Sequence, residues 1–153
     1  MADQKALMSE LEELEAFKKK HPNKGMHFKN LKTYPVVYRE LRKTAGAHFD
    51  LSDNKTIEAH ISEIQPGGHN KKHRHMNEAI IYILVGKGHS LVHDDRGNEL
   101  RVEWSEGDIF SPPLNWWHQH FNDDLKKPAR YLAFTNIGLM NVLGMFSKES
   151  AQE

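Results

Sequence analysis

The chain has 153 residues, no cysteine, and 21 basic side chains balanced by 21 acidic ones. That length makes one domain with a core of its own. The missing cysteine excludes disulfides and thiolate metal sites, so any metal must be held by nitrogen and oxygen. The even charge gives no reason to expect nucleic acid or a membrane surface as the main partner.

The first twenty residues, MADQKALMSELEELEAFKKK, are charged throughout, with no apolar run resembling a signal peptide or a membrane span. The default expectation is a cytoplasmic protein. Leu7, Leu11, Leu14 and Phe17 recur at helical spacing between residues 3 and about 20. Asp3, or Ser9 with Glu12 as a capping box, would start that helix, and His21-Pro22-Asn23-Lys24-Gly25 would end it. Its apolar stripe is expected to pack on the domain or on a partner subunit.

From about residue 34 the pattern changes to short β-like runs. Strands are expected over Val36–Glu40, Ile57–Ile64, Ala79–Val85, His89–His93, Glu99–Trp104, Asp108–Ser111, Trp117–Asn122 and Ala129–Asn136. Turn signals separate them at Gln65-Pro66-Gly67-Gly68, Gly86-Lys87-Gly88, Asp94-Asp95-Arg96-Gly97-Asn98 and Ser105-Glu106-Gly107. Many short strands so punctuated imply an all-β sandwich or barrel. Residues 1–33 then form a helix and arm, 34–136 the β domain, and 137–153 a packing segment with a frayed end.

Histidines carry the chemistry. His73-Arg74-His75 and His118-Gln119-His120 each place two imidazoles on one face of a strand, and imidazole is the commonest protein ligand for first-row transition metals. His21, His27 and His48 stand alone among polar residues and read as surface groups. His69, after Gly68, is either at a pocket mouth or exposed.

Two stretches carry a resemblance. Gly67–Gly86 (GGHNKKHRHMNEAIIYILVG) and Gly107–Asn122 (GDIFSPPLNWWHQHFN) are similar to the two motifs of the cupin superfamily. Gly67, His73, His75 and Gly86 fit the first. Gly107, Pro113, His118 and Asn122 fit the second, with Asn115 where glycine is usual. The resemblance implies a jelly-roll barrel over residues 34–136 with His73, His75 and His118 as metal ligands. Where the pattern carries a carboxylate ligand this chain has Ala79, with Glu78 one residue out of register. A one-residue slip turns a side chain to the opposite face of a strand, so Glu78 is expected off the metal unless a bulge rotates it back.

The remaining three-histidine pattern resembles that of gentisate-type ring-cleaving dioxygenases, which hold Fe(II), and of small single-domain cupins that cleave β-diketones. It implies a divalent metal, Fe(II) first, with Zn, Mn or Ni as alternatives. Three neutral imidazoles leave the ion its full charge, which favours a chelating anionic substrate together with O2. His120 would be a base or hydrogen-bond donor beside the metal, with a fourth ligand or a packed core histidine as the other readings. By strand parity Arg74 and Tyr82 should face away, Ile81 and Ile83 inward, and Trp116 is the expected pocket wall. Lys71, Lys72, Arg101 and Arg130 could draw in an anion but read first as surface charges.

Three functions fit this site: a dioxygenase acting on a small aromatic or enolic anion, a redox-neutral metal lyase or isomerase, and a non-catalytic small-molecule-binding or sensing module. Self-association, as a homodimer or a higher homo-oligomer, is expected through the N-terminal helix and the apolar Gly138–Phe146 segment.

Overall fold

The computed structural model describes residues 4–152. Asp3 lies outside the described residues, as does the side chain of Leu7, so neither expectation about them is addressed. A helix, α1 (Gln4–Lys20), leads into two sheets and a short second helix. The strands are β1 (Lys24–Gly25), β2 (Val37–Arg39), β3 (Thr44–Leu51), β4 (Glu58–Ile64), β5 (His73–His75), β6 (Ala79–Val85), β7 (Lys87–His93), β8 (Glu99–Ser105), β9 (Ile109–Phe110), β10 (Trp117–Asn122), β11 (Ala129–Thr135) and β12 (Lys148–Ser150). The second helix, α2, spans Ile137–Val142.

One sheet runs β1-β3-β4-β11-β6-β9, with β2 on β3, and the other runs β12-β5-β10-β7-β8. The fold is an all-β jelly roll preceded by a helix. Period-two alternation decides which side chains meet between the sheets. On β6, Ala79, Ile81 and Ile83 turn inward while Ile80 and Tyr82 face solvent. Ile81 and Ile83 join Ile64, Trp104, Ala129, Tyr131 and Ala133 in the apolar core. His48, His60, Ala133 and Ile81 are register partners across four strands, so one row crosses the inner face of the larger sheet from polar to apolar.

The opposite face of that sheet buries Ala47, Phe49, Ile61, Leu84 and Leu132 beneath Phe28, Leu31, Tyr34 and Val36 of the preceding arm. The arm is therefore part of the packed domain.

Two of the strands that depart from the sequence expectation bear on the site. β3 was not anticipated because its residues, TAGAHFDL, are poor in β-branched side chains. Its small residues are buried on both faces, where larger ones would not fit between arm and cavity. β12 lies in a segment expected to fray, yet it pairs with β5 in register Lys148↔His75 and Ser150↔His73. The polar tail is held by backbone hydrogen bonds to the strand that carries two of the histidines.

Candidate metal centre

His73 and His75 point inward from β5, and His118 lies directly opposite His73 in the β10–β5 register. Ring centroids are 4.4 Å apart for His73–His118, 4.8 Å for His75–His118 and 5.4 Å for His73–His75. One ligand nitrogen from each falls within 4.8 Å of the other two. The tautomers are set from behind. Nδ1–H of His73 donates to the Lys71 carbonyl (2.7 Å), that of His75 to Asn77 (2.8 Å) and that of His118 to Trp116 (2.9 Å). With every Nδ1 so engaged, the lone pair in each ring is on Nε2, the arrangement that backbone-anchored metal histidines require, and that of His73 accepts from Nη2 of Arg42 at 3.2 Å. Burial pushes all three rings toward the neutral form, well below the usual range for His73 and His118 and to about 4 for His75. The donor set fits a divalent transition metal, which binds imidazole nitrogen at about 2.0–2.1 Å.

Glu78 stays outside. It is exposed, and Asn136 donates from Nδ2 to its carboxylate at 2.8 Å while accepting from its backbone N–H at 2.9 Å. Ala79 is buried and lines the cavity on the metal side. No bulge brings Glu78 back, and the set of converging ligands at this centre is three histidines.

His120 lines the same cavity, with its ring centroid 5.6 Å from that of His118. Ser90 Oγ lies 2.7 Å from its Nδ1 and accepts the indole N–H of Trp104 at 3.0 Å. Burial holds His120 neutral, at about 3.

Other expected pocket residues separate. Ile81 lines the cavity with Ala79 and Ala133, whereas Ile83 sits behind it in the core. Trp116 is half-buried and precedes β10, after Asn115 in a left-handed turn (φ 61°), so strand parity does not carry its ring inward. Its contribution to the centre is the carbonyl that orients His118.

Arg74 faces away, hydrogen-bonded to Glu149 at 2.5 Å and to Asp95 at 2.6 Å. Arg130 is not a solvated surface charge. It is buried against Glu63 and donates to the carbonyls of Leu31 and Tyr34. Arg101 lies on the surface beside Glu103, and Lys72 lies over the Trp117 ring. His69 is half-buried, 2.9 Å from the Gln119 amide.

Sequence reading missed four cavity residues. Arg42, in the 3-10 turn before β3, places Nη2 at 3.2 Å from Nε2 of His73, and its Nη1 is buried without a hydrogen bond. Lys148 of β12 lines the cavity, its pKa pushed down to about 7 by burial and by Arg42 against the pull of Glu10. His48 and His60 stack at 4.8 Å on the inner face, with Glu58 beside them. The only hint of the last pair is inward parity on neighbouring strands. His48 belongs with the buried cluster, not with the surface histidines.

That second cluster is hydrogen-bonded through His48 and Glu58, while Nδ1 of His60 is buried without a hydrogen bond. His48 donates from Nδ1 to Glu58 at 2.8 Å and accepts on Nε2 from Arg39 at 3.3 Å, while Lys18 pairs with Glu58 at 3.1 Å. Both His48 nitrogens are used, and two cations already serve the site. Unlike the first cluster, it has one imidazole whose two nitrogens are both spent on side chains.

A jelly roll whose paired strands β5 and β10 converge three backbone-anchored imidazoles on one interior point defines the class as a metal-binding β domain. Residues 60–135 match the Cupin_2 family of cupin domains, and the chain is a cupin. Over 96 residues it is 26% identical to the 5-aminosalicylate 1,2-dioxygenase of a Comamonas species, a match covering 62% of this chain and 24% of that one. The salicylate 1,2-dioxygenase of Pseudoaminobacter salicylatoxidans, in its gentisate adducts, superposes with a TM-score of 0.63 at 11% identity, over 80% of this chain and 32% of its own. The Lactobacillus farciminis oxalate decarboxylase does so with 0.59 at 22% identity, over 70% and 32%. The chain thus spans about a quarter of the curated relative and a third of each structure.

Proposed function

We propose that this cupin is a metal-dependent dioxygenase, holding Fe(II) on His73, His75 and His118 and acting on a small aromatic or enolic anion. The observation that carries the reading is the donor set: three neutral imidazoles with Ala79 in the carboxylate position, beside the Arg42 guanidinium. Such a site keeps its full positive charge, and a bidentate anion offsets it. The similarity to the 5-aminosalicylate 1,2-dioxygenase points to the same class of substrate.

When bound, the ion supplies two-point attachment for the substrate's oxygens and an electron path between substrate and O2. The chain's residues position the substrate. Ala79, Ile81 and Ala133 form an apolar wall, and Ile83 backs Ile81 from the core. Trp116 fixes His118 from behind. The cavity, about 120 Å³, is smaller than the roughly 150 Å³ that accommodates benzene, which limits its occupant to a small anion of at most one ring.

His120 is the group placed to donate a hydrogen bond. Ser90 Oγ accepts the Trp104 N–H, and we assign its own proton to the hydrogen bond with Nδ1 of His120. The His120 proton then sits on Nε2, the opposite tautomer from the three ligands. That N–H can stabilise negative charge developing on a bound oxygen.

The test is oxygen dependence. The Fe(II)-loaded protein should consume O2 with hydroxylated benzoates or β-diketones and do nothing with them anaerobically. Turnover that survives without O2 would assign the redox-neutral lyase instead.

We also place self-association on the outer face of the larger sheet. Ile80, Tyr82, Ile109 and Phe134 are exposed there and adjacent through the Phe134↔Ile80 and Tyr82↔Ile109 register. The sequence pointed to α1 and the Gly138–Phe146 segment as contacts; Leu11 and Leu14 of α1 line the chain's own cavity, while Val142, Leu143 and Met145 of the second segment are exposed. Among the described residues no helix is long and apolar enough to cross a membrane.

A further inference from the structure

The carboxylate of Glu10 is the feature of the cavity that the metal centre does not use. Helix α1 lies over the cavity and contributes Glu10, Leu11 and Leu14 to its lining. Glu10 ion-pairs with Lys148, with Arg42 at 3.9 Å and with Lys71 at 3.7 Å, and accepts the Ser150 hydroxyl at 2.5 Å. A carboxylate buried among three cations is held there by charge-assisted contacts, and these lose their strength when another anion takes them.

The other charged anchors of α1 are of the same kind. Glu13 pairs with Arg39, and Lys18 with Glu58. Both partners line the cavity. The helix therefore rests on the lining of the cavity through these ion pairs together with Leu11 and Leu14, and Phe17 packs beside His48 and Arg39. Its attachment is sensitive to what enters.

The Arg42 end of the subsite is open to a ligand. Nη2 reaches His73, while Nη1 is buried, without a hydrogen bond, and only loosely paired to Glu10. A buried guanidinium N–H left unpaired costs free energy that a bidentate carboxylate would recover.

We propose that Arg42 and Lys148 form a carboxylate-binding subsite which Glu10 occupies, so that an incoming carboxylate ligand displaces Glu10 and releases α1 from the cavity. Glu10 is an internal stand-in for the ligand, and α1 is a lid opened by substrate. This rests on the reading of the cavity as a site for an organic anion. It adds the chemical class of the group bound beside the metal and the element that moves.

The test uses the full chain loaded with Zn(II), which binds imidazole but performs no O2 chemistry, and benzoate as the probe. Backbone hydrogen exchange over residues 4–20 is followed during a benzoate titration, with benzamide as the neutral control. Saturating benzoate should speed exchange in α1 by at least about tenfold, and benzamide should not. Glu10→Gln should show the fast exchange without benzoate and bind benzoate about tenfold more tightly. Lys148→Met should weaken benzoate about tenfold whether or not α1 stays docked. Unchanged α1 exchange at saturating benzoate, equal affinity of wild type and Glu10→Gln, or no binding of benzoate to either would overturn the proposal. Because no turnover is measured, failure here is separate from failure of the dioxygenase reading, which is read from O2 uptake on the iron form.

Discussion

Ser90 Oγ sits 2.7 Å from Nδ1 of His120, a cavity-lining residue, and Ser90 is fully buried. The pair determines which His120 nitrogen faces a ligand, and with it whether that residue donates or accepts. Ser90→Ala leaves two buried groups, the Trp104 N–H and His120 Nδ1, without their partner. The expected destabilisation is about 1–3 kcal/mol, measured by urea unfolding. Bound metal should stay at one ion per chain, since Ser90 touches none of the three ligands. Turnover should fall about 10–100-fold, as is usual when a supporting hydrogen bond at a metal site is lost. A variant that also loses its metal would place His120 among the ligands.

Metal stoichiometry separates the two histidine clusters. His118→Ala should abolish tight binding of one ion per chain, and His48→Ala should leave that ion in place, because both His48 nitrogens are spent on Glu58 and Arg39. Two ions per chain in the wild type would refute the assignment of the second cluster as a hydrogen-bond network. Neutral ligands have a further signature. Since burial already keeps His73, His75 and His118 unprotonated, loading at pH 7 should release almost no protons. Calorimetry in buffers of different ionisation enthalpy measures this directly.

Acid should weaken the metal-free protein in two stages. Six histidines, at positions 48, 60, 73, 75, 118 and 120, have their pKa lowered by burial. Below pH 6.5 the unfolded chain takes up protons that the folded one refuses, so stability falls as pH drops. This continues to about 4 for His75 and about 3 for His120, with a slope of about 1.4 kcal/mol per pH unit for each group. The second stage belongs to Glu10 and Glu58. Burial alone would raise both carboxyls, but Lys148, Ser150 and Arg42 hold Glu10 at about 2, and His48, Lys18 and His60 hold Glu58 at about 2. Their stabilisation is present above pH 4.5 and is lost as pH falls toward 2. Chemical denaturation at a series of pH values reads both slopes, and stability independent of pH between 6.5 and 4 would contradict the first.

The outer-face apolar patch gives a prediction independent of the site. Ile109→Lys, on the short edge strand β9, should turn a self-associating protein into a monomer with the metal centre intact. Light scattering beside metal analysis checks both halves. Removing residues 1–20 instead should leave the oligomeric state unchanged.

The site was legible in the sequence to the extent that strand parity governs it. Ala79–Val85 and Trp117–Asn122 alternate cleanly, so the inward histidine on β10, the inward Ile81 and the outward Glu78 could be read before any coordinates. What escaped depends on pairing between distant segments. Arg42 reaches His73 from a 3-10 turn that no periodicity marks. Lys148 enters because a polar tripeptide completes the sheet beside β5. His48 and His60 meet because β3, rich in alanine and glycine, nonetheless pairs with β4. Trp116 shared the parity of His118, but its residue lies before the strand, where parity has no hold.

The central claim is that three histidines and the residues around them direct O2 onto a chelating anion. Its most direct test is single-turnover reaction of the Fe(II)-loaded protein under ¹⁸O2 with salicylate and other hydroxybenzoates, the products weighed by mass spectrometry. A ring-opened product carrying both labelled atoms, with one O2 consumed per substrate, is the expected result. Unlabelled product, or CO2 released with no O2 uptake, would contradict the dioxygenase and give the same centre a redox-neutral role.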